Sequence, residues 1–227
     1  MSWAEWIRTV EVEPSLYAAD FARLGEQVEA LLRADTRVFH FDVGDGHFIP
    51  PITTGPIILQ AIAPLVHESG GILDCHLMVE SPEWHLAQFR EAGADSVTVH
   101  FEACPDLPSV VTAAREQGLQ VGLALNPETA VEPAAEAAIE TGVDVVLCMS
   151  VHPGYSGQAF IPESVERVRT LREVLPASMY VQVDGGVGQG NIRELREAGA
   201  TLFVAATAIF AGEDIGQAYR RLVEALA

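Results

Sequence analysis

Two hydrophobic patterns take turns along the chain. Short runs rich in Val, Ile, Leu and Phe recur near residues 11–16, 37–42, 72–77, 96–100, 120–125, 144–149, 180–184 and 201–206. Between them lie longer stretches with apolar residues three and four apart, such as FARLGEQVEALLR and PESVERVRTLREVL. Continuous apolar runs without strict alternation suit parallel strands covered by amphipathic helices. Eight such units predict an α/β protein, a single-domain (β/α)8 TIM barrel over residues 1–227. EAGAD (91–95) and EAGAT (197–201) each lead from a helix through a Gly C-cap into the next strand, which repeats the same rhythm. Residues 1–10, with Trp3 and Trp6, form a short amphipathic lead-in expected to cover the barrel bottom or a subunit contact.

Polar groups close several of these runs. His40 and Asp42 end RVFHFDVG, His76 ends GILDCH, and Asp184 ends MYVQVD. A buried strand end is a poor place for an unpaired charge, so four such groups need a common partner, and a metal ion satisfies them together. In a barrel the C-terminal strand ends converge on one site, whereas a doubly wound open sheet would gather its polar ends at one switch point. Two imidazoles and two carboxylates without thiolates suit one divalent transition metal per chain: zinc, iron, manganese or cobalt.

The formal net charge is -19, with 13 Lys and Arg together. Nucleic acid and anionic membranes are therefore poor partners. No apolar run reaches the roughly 20 residues of a membrane span, and the N-terminus lacks the layout of a signal peptide, so a cytoplasmic protein is expected. Cys75, Cys104 and Cys148 are odd in number and widely spaced, which suits reduced, buried thiols.

The chain resembles the ribulose-phosphate 3-epimerase family. The matching strings are PSLYAADFARLGEQV, HFDVGDGHFIPPITTGP, CHLMVESPEWH, EAGADSVTVHFEA, ALNPETAVE, CMSVHPGYSGQAFIPES, VDGGVGQGNI and ATAIF, in order from Pro14 to Phe210. The resemblance implies that His40, Asp42, His76 and Asp184 are metal ligands and that Asp42 and Asp184 are also the catalytic acid/base pair. It places Ser15 near the substrate and aligns Met78 and Met149 with methionines that line the pocket. The implied reaction converts D-ribulose 5-phosphate to D-xylulose 5-phosphate, in the pentose phosphate pathway, through an enediolate. Two bases must flank the substrate, because the proton leaves one face and another returns on the opposite face. The expected partners are a small sugar phosphate and, in a homo-oligomer, further copies of the chain.

The phosphate end is expected in the loops after the last three strands: HPGYSGQ (152–158), DGGVGQG (184–190) and AATAIF (205–210). Gly154, Gly157, Gly185 and Gly186 allow close backbone approach, and Tyr155, Ser156, Ala206 and Thr207 complete the loops, with His76 also expected near the substrate. None of these loops carries Lys or Arg, so oriented amides must bind the phosphate. Several positions depart from the family pattern: Gly44 stands for Met, Tyr17 for Leu, Pro51 and His152 for Asn, and Ala206-Thr207 for Gly-Ser. Gly44 is expected to open space beside the metal that Tyr17 refills, which leaves a paralogue acting on another ketose or ketose phosphate as an alternative. A barrel decarboxylase is a further alternative, although the Asp-x-Lys-x-x-Asp arrangement of such sites is missing around Asp42.

Overall fold

The computed structural model describes residues 2–226. Its strands are β1 (Glu11–Pro14), β2 (Val38–Gly44), β3 (Ile72–Met78), β4 (Ser96–His100), β5 (Gln120–Leu125), β6 (Val145–Met149), β7 (Tyr180–Asp184) and β8 (Leu202–Ala205). The helices are α1 (Trp3–Trp6), α2 (Leu24–Arg33), α3 (Pro56–Glu68), α4 (Leu86–Ala92), α5 (Leu107–Glu116), α6 (Val131–Thr141), α7 (Ser164–Val174), α8 (Ile192–Ala198), α9 (Thr207–Phe210) and α10 (Ile215–Ala225). All strand pairs are parallel, in the cyclic order β1-β8-β7-β6-β5-β4-β3-β2. The cylinder closes between β1 and β2 at one parallel bridge, Ser15 to His40. This is the expected (β/α)8 barrel, and the open-sheet alternative falls.

Alternation along each strand sorts the side chains. Phe39, Phe41 and Val43 of β2 join the large core that also holds helix residues such as Val28, Leu59 and Val66. His40 and Asp42 take the opposite side and face the barrel interior. At the barrel bottom Val38, Ile72, Val145 and Leu202 form a separate apolar cluster, which α1 covers with Trp3 and Trp6. The two indoles meet edge to face, with centroids 5.1 Å apart. Apolar packing thus occupies both the bottom layer and the sheet–helix interface, and polar groups concentrate in the middle and upper layers.

The two EAGA strings behave alike. Gly93 and Gly199 end α4 and α8 in the left-handed region, at φ 107 and 112. Ala94 N–H then bonds back to Phe89 O and Ala200 N–H to Leu195 O, which turns the chain straight into the next strand. Cys75, Cys104 and Cys148 are free and buried, as expected. No helix among the described residues is long and apolar enough to cross a membrane.

Candidate active site

Strand register brings the four expected ligands together. Asp42 of β2 pairs with His76 of β3, His40 pairs with Asp74, and Asp184 pairs with Met149 and Val204 on either side. Potential ligand atoms of His40, Asp42, His76 and Asp184 all lie within 4.8 Å of one another. His76 Nδ1 is 3.1 Å from Asp42 Oδ1 and 3.8 Å from Asp184 Oδ2, and His40 Nε2 is 3.4 Å from Asp42 Oδ1. His40 Nε2 is buried with no hydrogen-bond partner among the described residues. An orphaned imidazole nitrogen aimed at two carboxylates is what a cation site requires, and the mixed nitrogen and oxygen donors fit a divalent transition metal.

The ligands are held from behind. Ser15 Oγ donates to Asp42 Oδ2 at 2.6 Å. His40 Nδ1 lies 3.1 Å from Asp74 Oδ2, and Gln182 Nε2 donates both to that oxygen, at 3.1 Å, and to Glu13. His76 Nε2 lies 2.8 Å from His100 Nε2, whose Nδ1 lies 3.2 Å from Glu102 Oε2. Asp74, Glu13, Gln182, His100 and Glu102 are absent from the sequence-based site. A signal was present in the chain: TVHFEA at the end of β4 repeats the His-Phe-acid spacing of VFHFDV at the end of β2, and Asp74 stands two residues before His76.

Burial and neighbours push the two central carboxyls apart. Burial raises Asp42, but the charge of the His40 imidazole beside it and the hydrogen bond from His76 Nδ1 outweigh it and hold the carboxyl well below its usual range. Asp184 goes the other way, to about 7, through burial and then repulsion from Asp42. Burial resists a proton on His40, but Asp42 and Asp74 overcome it and raise that imidazole well above its usual value. Burial lowers His76 and brings His100 down to about 4, so these two rings are neutral near pH 7. Glu13 is raised by burial and by Asp74.

Above this floor opens a cleft. Asp42, Asp184, Ser15, Met78 and Met149 line its lower part, and Gly154, Tyr155, Ser156, Gly157, Gly185, Gly186, Ala206 and Thr207 line the rest. His40 and His76 are fully buried and do not line the cleft. No Lys or Arg lines the cleft, and all 13 basic residues of the chain are Arg. Ser150 Oγ donates to the carbonyls of Asp184 and Gly185, and Gln158 Nε2 donates to those of His152 and Tyr155, so the two glycine-bearing loops are fixed in shape. A Cβ on Gly185, at φ +115, would stand 2.8 Å from Val151 N, and one on Gly186 2.8 Å from Phe160 N. The amides of Gly186 and Ala206 have no protein acceptor among the described residues.

The expectation that Gly44 opens space beside the metal is wrong. A Cβ there would lie 2.5 Å from Ile49 Cδ1 and 2.9 Å from Pro51 O, because the loop after β2 folds back and fills the position. Pro51 and His152 also stay off the cleft wall, whereas Tyr17, Ala206 and Thr207 are on it.

Residues 11–210 match the model of the ribulose-phosphate 3 epimerase family. The ribulose-phosphate 3-epimerase of Bacillus subtilis is 37% identical over 209 residues, covering 90% of this chain and 94% of that protein. That of Synechocystis is 39% identical over 216 residues, covering 93% and 92%. Among solved structures, 3-hexulose-6-phosphate synthase from Salmonella typhimurium superposes with a TM-score of 0.75, covering 95% of this chain and 98% of that one, at 17% identity. That likeness is one of fold alone.

Proposed function

This chain belongs to the ribulose-phosphate 3-epimerase family, and from that premise we propose that it interconverts D-ribulose 5-phosphate and D-xylulose 5-phosphate by metal-dependent epimerisation at C3. It is thus an isomerase of pentose phosphate metabolism. The observation that carries the reading is the juxtaposition of Asp42 and Asp184 with two buried imidazoles at the floor of a cleft whose other end is glycine-rich and free of basic side chains.

His40, Asp42, His76 and Asp184 would hold one ion, zinc, iron, manganese or cobalt. When bound, the ion supplies positive charge that stabilises the enediolate of the substrate, a contribution of several kcal/mol in such sites. The remaining steps belong to the chain. One of the pair Asp42 and Asp184 takes the C3 proton and the other returns a proton on the opposite face, so the starting state needs one carboxylate and one carboxylic acid. Ser15 fixes Oδ2 of Asp42 by its hydrogen bond. Met78 and Met149, both buried, exclude water and offer no exchangeable proton. The amides of the loops bearing Gly154, Gly157, Gly185 and Gly186 would receive the phosphate.

Lysine-dependent alternatives find no support, since the chain has no lysine. A shifted substrate preference is favoured by one observation: Tyr17, Ala206 and Thr207 all line the cleft. A cytoplasmic setting agrees with the three free cysteines.

The test combines kinetics with metal analysis. Asp42→Asn and Asp184→Asn should each abolish epimerisation, leaving unequal exchange of the C3 proton with deuterated solvent. A variant that retains metal and epimerises at the wild-type rate removes that residue from the acid/base pair. Comparing kcat/KM for five- and six-carbon ketoses, with and without phosphate, decides the substrate.

A further inference from the structure

Both imidazoles of the metal site are backed, but differently. His40 Nδ1 faces a carboxylate directly, at 3.1 Å from Asp74 Oδ2. His76 is backed by a second imidazole, with Nε2 to Nε2 of His100 at 2.8 Å. Two ring nitrogens at that separation share one hydrogen, so their tautomers are locked together.

The direction of the lock follows from the two ends. At the inner end, His76 Nδ1 points at Asp42 Oδ1 and Asp184 Oδ2, and it ligates a cation only through a lone pair. Its hydrogen must then sit on Nε2 and be donated to His100 Nε2. His100 must carry its own hydrogen on Nδ1, which points at Glu102 Oε2 3.2 Å away. At the outer end Glu102 is committed as an acceptor: Asn126 N–H donates to its Oε1 at 2.8 Å, and the Thr129 hydroxyl donates to the same oxygen. That loop is in turn clamped by Arg167 of α7, which donates to the carbonyls of Asn126 and Thr129 at 2.9 and 2.8 Å. The His100 ring has little freedom. It stacks on His76 with centroids 5.0 Å apart and meets Phe48 at 4.7 Å.

We propose that His100 and Glu102 are positioning residues that hold His76 in the tautomer whose Nδ1 lone pair faces the metal. The proposal rests on the metal site described above and adds what steadies one of its ligands from behind once the ion is bound. Reverse the string, with hydrogen on His100 Nε2, and His76 must accept there and place a hydrogen on Nδ1, aimed into the site. Glu102 opposes the reversal, because a carboxylate has no hydrogen to give to His100 Nδ1, and the bound ion removes the competing pull of Asp42 on His76 Nδ1.

Three variants and one measurement on the wild type separate this from simple packing. His100→Phe keeps a ring between Phe48 and His76 but removes the acceptor. His100→Gln restores an acceptor oxygen. Glu102→Leu removes the anchor at the outer end. Affinity is read by competition with a chromophoric chelator, using zinc and cobalt, and fold is monitored by circular dichroism. Losing the partner behind a ligating histidine weakens metal affinity by about 10–100-fold. His100→Phe and Glu102→Leu should fall in that range, and His100→Gln should recover most of the loss. In zinc-loaded wild type, 15N-histidine NMR should find hydrogen on Nε2 of His76 and on Nδ1 of His100. If wild-type protein binds metal at these side chains and the folded variants bind within threefold of it, the relay is wrong and the site stands. If wild-type protein binds no metal there, the metal site itself is wrong. Hydrogen on Nε2 rather than Nδ1 of His100 in zinc-loaded wild type also overturns the relay, even if the variants fail to fold.

Discussion

Gly44 tests how the loop after β2 is built. The backbone on either side of it is fully engaged: Gly44 N–H donates to Thr53 Oγ1 at 2.6 Å, Thr53 N–H donates back to Gly44 O at 3.1 Å, and Thr54 Oγ1 donates to Asp42 O at 2.6 Å. Gly44→Ala would set a methyl group 2.5 Å from Ile49 Cδ1, 2.9 Å from Pro51 O and 3.0 Å from Ile49 Cγ1. The side-chain end of Ile49 can rotate away, but the Pro51 carbonyl belongs to the loop backbone and must be displaced. Overpacking of this kind costs about 1–3 kcal/mol. For a chain of this size that lowers Tm by roughly 2–4 °C for each kcal/mol. Ile49→Val removes Cδ1, for a loss of about 0.5–1.5 kcal/mol alone. Combined with Gly44→Ala it should relieve the tighter side-chain clash and leave the Pro51 contact. The double variant should therefore be more stable than the sum of the two singles by at least about 0.5 kcal/mol. Denaturant unfolding of the metal-free proteins measures the cycle. A neutral Gly44→Ala, or strict additivity with Ile49→Val, would refute the packing of this loop. Gly44→Met should be worse than Gly44→Ala for the same reason.

Four further outcomes are expected. Gly185→Ala, with its Cβ 2.5 Å from Val151 Cγ2 at a left-handed φ, should raise KM for the phosphorylated substrate at least about fivefold, since backbone strain of this kind costs about 1–3 kcal/mol, and should leave metal affinity unchanged; unchanged KM counts against the phosphate loop. Metal affinity should fall as pH drops from about 8 to 6, because binding must displace protons from Asp184, raised to about 7, and from His40, also raised. The same raised Asp184 carboxyl stabilises the metal-free fold fully below its unfolded value of 3.8, and that contribution is lost as pH rises through about 7; Asp184→Asn should thus gain stability over wild type across that interval, and a constant difference would contradict the shift. Trp3→Ala should cost about 3–5 kcal/mol in denaturant unfolding by uncovering the barrel bottom, with chelator competition showing the metal site unaffected; a loss under 1 kcal/mol would mean the indole is not part of the core.

Much of this was legible along the chain because a barrel turns strand ends into a site. Once eight apolar runs are recognised, a polar residue at a C-terminal strand end has only one place to go, and His40, Asp42, His76 and Asp184 go there. Strand limits shift by only a residue or two. β1 stops at Pro14 and leaves Ser15 as an isolated bridge, while β2 runs on to Gly44 because Val43 and Gly44 still pair with Leu77 and Met78. The backing residues were not legible by the same rule. Glu13, Asp74 and Gln182 lie in mid-strand, where a polar residue has no fixed meaning until its cross-barrel neighbour is known. His100 and Glu102 did sit at a strand end, yet their partners come from β3 and from the loop after β5. Gly44 misled because a missing side chain reads as a gap, and only the path of residues 45–53 reveals that Ile49 occupies it.

The single bridge between Ser15 and His40 gives the cylinder an unequal circumference. Elsewhere neighbouring strands are laced by ladders of three or more paired residues, but at this seam the lacing is one rung, reinforced by the hydrogen bond from Ser15 to Asp42. On the proposed chemistry, Ser15, His40 and Asp42 therefore serve two ends at once, turnover and enclosure. A substitution at any of the three would disturb the seam of the barrel as well as the floor of the cleft. A laboratory lineage seeking a new activity in this barrel would do better to begin on the far side, where the walls are fully laced and closure does not hang on one rung.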